Sequence, residues 1–280
     1  MLVEGVHFLG DDPPDSVGWK LVAVNISDLA AKGARPVGGL MGCGLSGDTT
    51  WDARFLHGVA EACSHFGLPM LGGDTVTMPA GGPRTLAMTV IGETLEPPPS
   101  RAGGRAGDDL WVTGTIGDAG LGLAIRQGKM ECGDNEGASL TLAEAFLRPQ
   151  PDLSLGQAIA PYVTAMMDVS DGLLIDTARM AESSRCGAKI TLDTVPLSPE
   201  FRTLCGDDLL ARLNAATAGD DYCLLFTSDP ANRQAIAQLC SQNSARPALI
   251  GALTEALGLK LTMNGDPVTP PDRLGYEHNA

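Results

Sequence analysis

The chain has 280 residues, 44% hydrophobic and 19% charged, with 35 glycines and 19 prolines, enough apolar material for a packed core. That composition excludes a disordered or collagen-like chain. Its 34 acidic residues outnumber 19 basic ones, giving a net charge of -15 with no run of five Lys/Arg, which speaks against nucleic acid and membrane surfaces as partners.

In chain order, residues 2–9 read as the end of a strand. Residues 15–32 read as a helix with Val17, Leu21, Val24 and Leu29 on its buried stripe and Gly33 as its stop. A strand at 37–45, a helix at 51–66, a short buried strand at 68–71 and a longer strand at 85–95 complete a first unit. Residues 96–107, rich in Pro and Gly, form the best linker. The pattern then restarts: strand 110–113, a glycine-led helix 117–126, helices 138–147 and 153–160, strand 163–167, helix 173–184 and strand 188–192. A helix at 207–215, a strand at 222–227, a helix at 229–243 and strands at 247–252 and 259–263 finish it. The expectation is an α/β chain in two units, divided into residues 1–99 and 100–280.

Seven cysteines without a CxxC pair argue against a disulfide framework and a zinc ribbon; most sit beside apolar residues and read as small core side chains. The first residues carry no basic leader, and no apolar run is long enough to span a membrane, so a cytoplasmic protein is expected.

No P-loop and no GxSxG elbow is present, and the four histidines stand in no HExxH or triad-like context. Gly42-Cys-Gly44-Leu-Ser-Gly47 matches GxGxxG, but Asp74 lies at the wrong distance for the ribose-binding acid, so the match counts for little. Four acidic spots carry more information. Asp28 lies near the end of an apolar helix, where the helix dipole favours cations; pairing with Lys32 at i,i+4 is the plain alternative to a metal or partner. Gly72-Gly73-Asp74 is expected to follow a buried strand, as a close-approach loop or an ordinary turn. Asp168-Val-Ser170-Asp171-Gly leaves an apolar strand directly into a helix start. Ser170 or Asp171 could be an N-cap, but Asp168 on the strand points to Mg²⁺ or phosphate work. Gly219-Asp220-Asp221 runs into the strand Cys-Leu-Leu-Phe, with turn and functional readings level. Gly-Asp-Asp recurs at 10–12, 107–109 and 206–208, read as a turn, a strand entry and a helix cap.

Taken together, Leu2-Val-Glu-Gly-Val-His7-Phe, Asn25-Ile-Ser-Asp28-Leu-Ala-Ala, Gly72-Gly-Asp74-Thr, Arg101-Ala-Gly, Asp168-Val-Ser-Asp171-Gly-Leu and Gly219-Asp-Asp-Tyr, ending at Gly275-Tyr276-Glu-His278, resemble the thiamine-monophosphate kinase family along nearly the whole chain. That family is part of the wider aminoimidazole ribonucleotide synthetase-like group. The resemblance implies two α/β halves: an N-terminal one, here without its first strand or strands, that forms a homodimer through its sheet, and a C-terminal one that covers the nucleotide. It implies transfer of the ATP γ-phosphoryl group onto thiamine monophosphate, with several Mg²⁺ ions and no catalytic side chain beyond positioning and metal ligation. By motif match, Asp28, Asp74, Asp168 and Asp171 are metal ligands. Gly73, Asp74, Arg101 and Ser170 contact the nucleotide. His7, Asp220 and Tyr276 contact the substrate, with Asp220 standing where the family usually has Glu. Family members also carry residues ahead of this point, including Gly-Asp-Asp and Thr-Thr-Asp segments, so the resemblance implies a truncated, weakly active or inactive product. Two other readings are an ATP-dependent synthetase of the aminoimidazole ribonucleotide type and a non-catalytic nucleotide-binding fragment.

Overall fold

The computed structural model describes residues 1–242 and 247–277; His278, the last residue of the C-terminal motif, lies outside them. The first half contains β1 (Leu2–Val3), α1 (Pro14–Ala30), β2 (Arg35–Leu45), α2 (Thr49–Phe66), β3 (Met70–Thr77) and β4 (Thr85–Glu93). Its strands form a four-stranded sheet in the order β1-β4-β2-β3, with β2 and β3 parallel and the other pairs antiparallel. The second half contributes β5 (Asp109–Thr113), α3 (Asp118–Arg126), α4 (Glu136–Leu147), α5 (Leu153–Ile159), β6 (Ala165–Asp168), α6 (Leu173–Ser183) and β7 (Gly187–Thr191). It continues with α7 (Pro199–Cys205), α8 (Leu209–Thr217), β8 (Leu224–Ser228), α9 (Arg233–Gln242), β9 (Pro247–Thr254), β10 (Leu259–Met263) and β11 (Asp266–Val268). These strands form a seven-stranded sheet in the order β11-β10-β7-β9-β5-β8-β6.

Helix boundaries follow local chemistry. Asp48 caps α2 by accepting from Thr50 N and Trp51 N, and Gly67, in the left-handed region at φ 64°, ends it. Asp208 caps α8 by accepting from Ala211 N, the cap role expected for residues 206–208. Both α7 and β11, absent from the expected elements, are short and carry too few residues to show a period.

Helix α1 is buried on nearly every side, including Lys20 and Ser27. An amphipathic stripe is therefore too narrow a description. One face packs on the N-terminal sheet and α2, and the rest is covered by α4, α5 and β6 of the second half. Gly18 and Gly58 allow the α1–α2 approach: a Cβ on Gly18 would stand 2.2 Å from the Phe55 carbonyl oxygen. The core of this half runs through Leu21, Val22, Ile26, Phe55, Val59, Cys43 and Leu86.

The strand expected at 68–71 is corrected by the structure. Leu68 is buried ahead of β3, and β3 itself is exposed along its length and contains the Gly72-Gly73-Asp74 motif. The cause is topological: β3 is a sheet edge, paired only with β2, so its open side and large side chains such as Leu71 and Val76 are left uncovered.

Candidate active site

The principal cleft, about 720 Å³, opens between α1 and the loops at one end of the second sheet. Its lining includes His7, Asp28, Asp168, Ser170, Asp171, Asp220 and Tyr276, seven residues from motifs spread over nearly the whole chain. Each arrives by a distinct local device.

Asp168 ends β6, pairing opposite Leu224 of β8, and its Oδ2 accepts from Ser27 Oγ of α1 at 2.6 Å. Burial is the main reason its pKa is pushed up to about 6; the Ser27 hydrogen bond opposes the shift and the nearby Asp28 carboxylate adds to it. Asp28 stands on the last turn of α1, facing the cleft. Its pKa is also raised, first by desolvation, against the opposing charges of Lys32, the amino terminus and Arg101. The Nζ of Lys32 donates to the Pro99 carbonyl at 3.1 Å.

The loop after β6 is organised by a residue that the motif reading does not single out. The buried Asp176 of α6 turns back on its own N-terminus, and its Oδ2 accepts from Ser170 N at 3.0 Å, Asp171 N at 3.0 Å and Gly172 N at 3.3 Å. Neither Ser170 nor Asp171 caps α6; Gly172 occupies the cap position, at φ 133°. Arg179 binds both Asp171 and Asp176. The sequence signal is an acid four residues past a glycine cap, which ordinary helix rules read as a favourable first-turn charge.

Two further segments are tied to this loop by backbone bonds. Asp220 N donates to Ser170 O, Tyr222 N to Val169 O, and Tyr276 N to Asp171 O, each at 2.8 Å. Gly219 and Gly275 make the approach possible, because a Cβ at either would stand 2.6 Å or less from a loop carbonyl. Asp220 and Tyr222 both take positive φ, 71° and 49°, and Tyr222 Oη donates to Asp220 Oδ1 at 3.0 Å. The other oxygen of Asp220 meets Lys20 Nζ from α1 at 2.7 Å. The neighbouring Asp221 turns inward, and both its oxygens accept from Gly117 N at the start of α3. On the first half's side, His7 Nδ1 accepts from Val3 N at 3.1 Å.

Three expected site residues do not line this cleft. Arg101 is exposed on the segment joining the halves, where its charge acts on Asp28 and Lys32. Gly73 and Asp74 border a separate shallow cleft with Leu56 and Met70. In the β2–β3 register Asp74 pairs with Gly42 and Val76 with Gly44, while Cys43 and Leu86, the residues buried under the helices, alternate to the opposite face. Asp74 is thus on the sheet face turned away from α1. Among the described residues no group of three or more His, Cys, Asp or Glu side chains is placed to hold one metal ion, so a single chain does not gather the expected four-aspartate cluster. It does gather the pair Asp28 and Asp168, two carboxylates whose like charges and partial desolvation a hard cation would relieve. A hard cation of this kind completes its shell with substrate phosphates and water more often than with an all-protein cage.

Comparisons with known proteins agree along the chain. Residues 1–94 match the family model "AIR synthase related protein, N-terminal domain" and residues 105–264 match "AIR synthase related protein, C-terminal domain". A Caulobacter vibrioides protein named thiamine-monophosphate kinase is 36% identical over 99% of this chain and 78% of its own. The Escherichia coli K12 protein of the same name is 34% identical over 100% of this chain and 85% of its own. Among solved structures, AaThiL complexed with AMPPCP and TMP superposes with a TM-score of 0.84 at 31% identity, covering 99% of this chain and 84% of that one. The thiamine-monophosphate kinase of Stenotrophomonas maltophilia K279a gives 0.83 at 33% identity, covering 95% and 84%. The hydrogenase maturation protein HypE, at 19% identity and a TM-score of 0.75, shares the fold.

Proposed function

The chain belongs to the thiamine-monophosphate kinase family, enzymes with two α/β halves of the AIR synthase related type, and from that premise we propose that it transfers the γ-phosphoryl group of ATP in line onto the phosphate of thiamine monophosphate, in a Mg²⁺-dependent reaction giving thiamine diphosphate. The observation that carries this is the cleft itself, where His7 and Asp28 of one half face Asp168, Ser170, Asp171, Asp220 and Tyr276 of the other. A relative 31% identical has been solved with AMPPCP, a methylene analogue of ATP, and TMP.

Donor and acceptor are both anionic, so the protein's task is to hold them together and screen their repulsion. Asp28 and Asp168 are the proposed Mg²⁺ ligands of the cleft, with Asp171 beside them. Bound Mg²⁺ would neutralise the phosphate oxygens and the charge that develops during transfer. Ser170 and the backbone of its loop, fixed by Asp176, would orient the nucleotide, and Arg101, on the joining segment, would swing its planar guanidinium onto a phosphate. Asp220, Tyr276 and His7 would bind the thiamine end, with the Tyr276 ring as a stacking surface. Every such group positions or screens; no side chain is required as a nucleophile.

Residues 1–99 and 100–280 are the proposed domains. The outer face of the first sheet exposes Leu40, Val76 and Ile91 around a glycine-rich centre, and β3 leaves a bare edge. Such a face supports a homodimer through the N-terminal sheet. Asp74 and Gly73 lie on or beside it, so their metal and nucleotide roles are proposed for the dimer. No helix among the described residues is long and apolar enough to cross a membrane, and the proposed location is the cytoplasm.

The test is direct. The purified 280-residue protein is incubated with ATP, MgCl₂ and thiamine monophosphate, and products are separated by chromatography. Equal yields of thiamine diphosphate and ADP, abolished by EDTA, are expected. ADP release provoked by a formylglycinamidine ribonucleotide in place of thiamine monophosphate would instead favour the synthetase reading, and Mg-ATP binding with no product from either would favour the non-catalytic one.

A further inference from the structure

One buried charge is left over by the proposed chemistry. Lys20 sits in the middle of α1 with 2% of its surface exposed, among residues such as Leu21 and Phe146 that are as fully enclosed. Its Nζ lies 3.6 Å from the centre of the Phe146 ring and 2.7 Å from Asp220 Oδ2. It does not line the cleft; Asp220 does. A lysine so placed is poorly explained as a stability device. Desolvating an ammonium and a carboxylate costs about as much as their attraction returns, and an apolar pair of similar volume serves a core as well or better. What the pair does supply is geometry. Asp220 adopts a left-handed backbone conformation at φ 71°, uncommon for a residue other than glycine, on a loop held to Ser170 by a backbone hydrogen bond. Its Oδ1 accepts from Tyr222 and its Oδ2 from Lys20, so both oxygens are directed from behind. Lys20 comes from the first half and Asp220 from the second, 200 positions away.

We propose that Lys20 is a positioning residue for thiamine recognition: from α1 it fixes the Asp220 carboxylate in the cleft and cancels its charge, so that Asp220 meets the thiamine end as an oriented hydrogen-bond acceptor within a neutral pair. The inference rests on the kinase reading, which places the thiamine end at Asp220. Lys20 sets where the Asp220 side chain points, and its ammonium, held over the Phe146 ring, closes the space behind it.

Binding rather than turnover provides the test. Titration calorimetry with thiamine monophosphate and, separately, with Mg-AMPPCP is run on the wild type, Lys20→Met, Lys20→Arg, Asp220→Asn and the double variant K20M/D220N. The expected result is a Kd for thiamine monophosphate raised at least tenfold in K20M and in D220N, with the double variant no weaker than the worse single one, because both changes remove one unit. The Kd for Mg-AMPPCP stays within twofold throughout, and K20R stays within threefold of wild type for both ligands. Equal weakening of both ligands in K20M, no weakening, or multiplying losses in the double variant would overturn the assignment. Should K20M fail to fold by circular dichroism, K20R and D220N decide it: K20R near wild type with D220N selectively impaired supports the role, and K20R weakened alike for both ligands defeats it. Wild-type protein that does not bind thiamine monophosphate overturns the kinase reading itself, whereas wild-type binding with an unaltered K20M overturns only Lys20.

Discussion

Asp168 shows a site residue working against the fold that holds it. Burial raises its pKa to about 6, and the Asp28 carboxylate nearby adds to the shift. A carboxyl group whose folded pKa lies above its unfolded value stabilises the fold below the unfolded value, near the ordinary 3.8, and loses that contribution as pH rises through about 6. At neutral pH the metal-free protein therefore carries an ionised Asp168 at a cost. Asp168→Asn removes the charge while keeping an acceptor for Ser27 Oγ. Thermal melts in EDTA are expected to show this variant more stable than wild type at pH 7.5, by a few degrees, and indistinguishable from it at pH 4. Activity should be lost by a factor of roughly a hundred or more, as for removal of a group that stabilises charge in the transition state. A variant that melts lower than wild type at pH 7.5 would show that Asp168 is a structural residue whose charge the fold requires.

On the scale of elements, the loop 168–172 depends on Asp176, which reaches back from the first turn of α6 to three backbone N–H groups. An N-cap would do this from in front of the helix; here the acid does it from inside, with Arg179 balancing its charge. Asp176→Ala leaves those donors unsatisfied in a region where Thr177 and Leu174 are fully enclosed, and a loss of about 2–4 kcal/mol is expected from urea denaturation. A loss under about 1 kcal/mol would mean that water replaces the carboxylate and the loop keeps its shape without it. This loop also marks how far the sequence could be read. Asp168 and Asp171 announce themselves as acids leaving an apolar strand, with Ser170 between them, and the structure brings all three together with Asp28 and Asp220 in one cleft. Asp176 and Lys20 do not announce themselves, since an acid in a first turn and a lysine on a helix are what solvent-facing positions also contain. Their roles come from contacts, one local and one 200 residues long. The backbone at Asp74 departs from the sequence reading for a related reason: two glycines before an acid read as a close-approach loop or a turn, but at a sheet edge glycine continues as strand, because nothing needs to be packed on its open side.

For the whole molecule, the orientation of Asp74 would connect assembly with activity if the proposed dimer forms. The register of β3 on β2 places it on the sheet face that carries Leu40 and Val76, 45% and 56% exposed, rather than on the face packed by α1. A second sheet docked there would bury these side chains at roughly 25 cal/mol per Å² of apolar surface and would enclose Asp74 at the seam. Replacing both Leu40 and Val76 by lysine places like charges against each other across a two-fold seam, without touching the core beneath, since both side chains point away from it. Sedimentation is expected to give twice the 29.0 kDa chain mass for wild type and the single-chain mass for the double variant. The far-ultraviolet circular dichroism of the two proteins should coincide. Kinase activity should fall with the loss of the dimer if Asp74 works at the seam, and a monomeric variant with wild-type turnover would remove Asp74 from the metal ligands while leaving Asp28 and Asp168 in place. Wild-type protein that sediments as a single chain at micromolar concentration would defeat the dimer altogether.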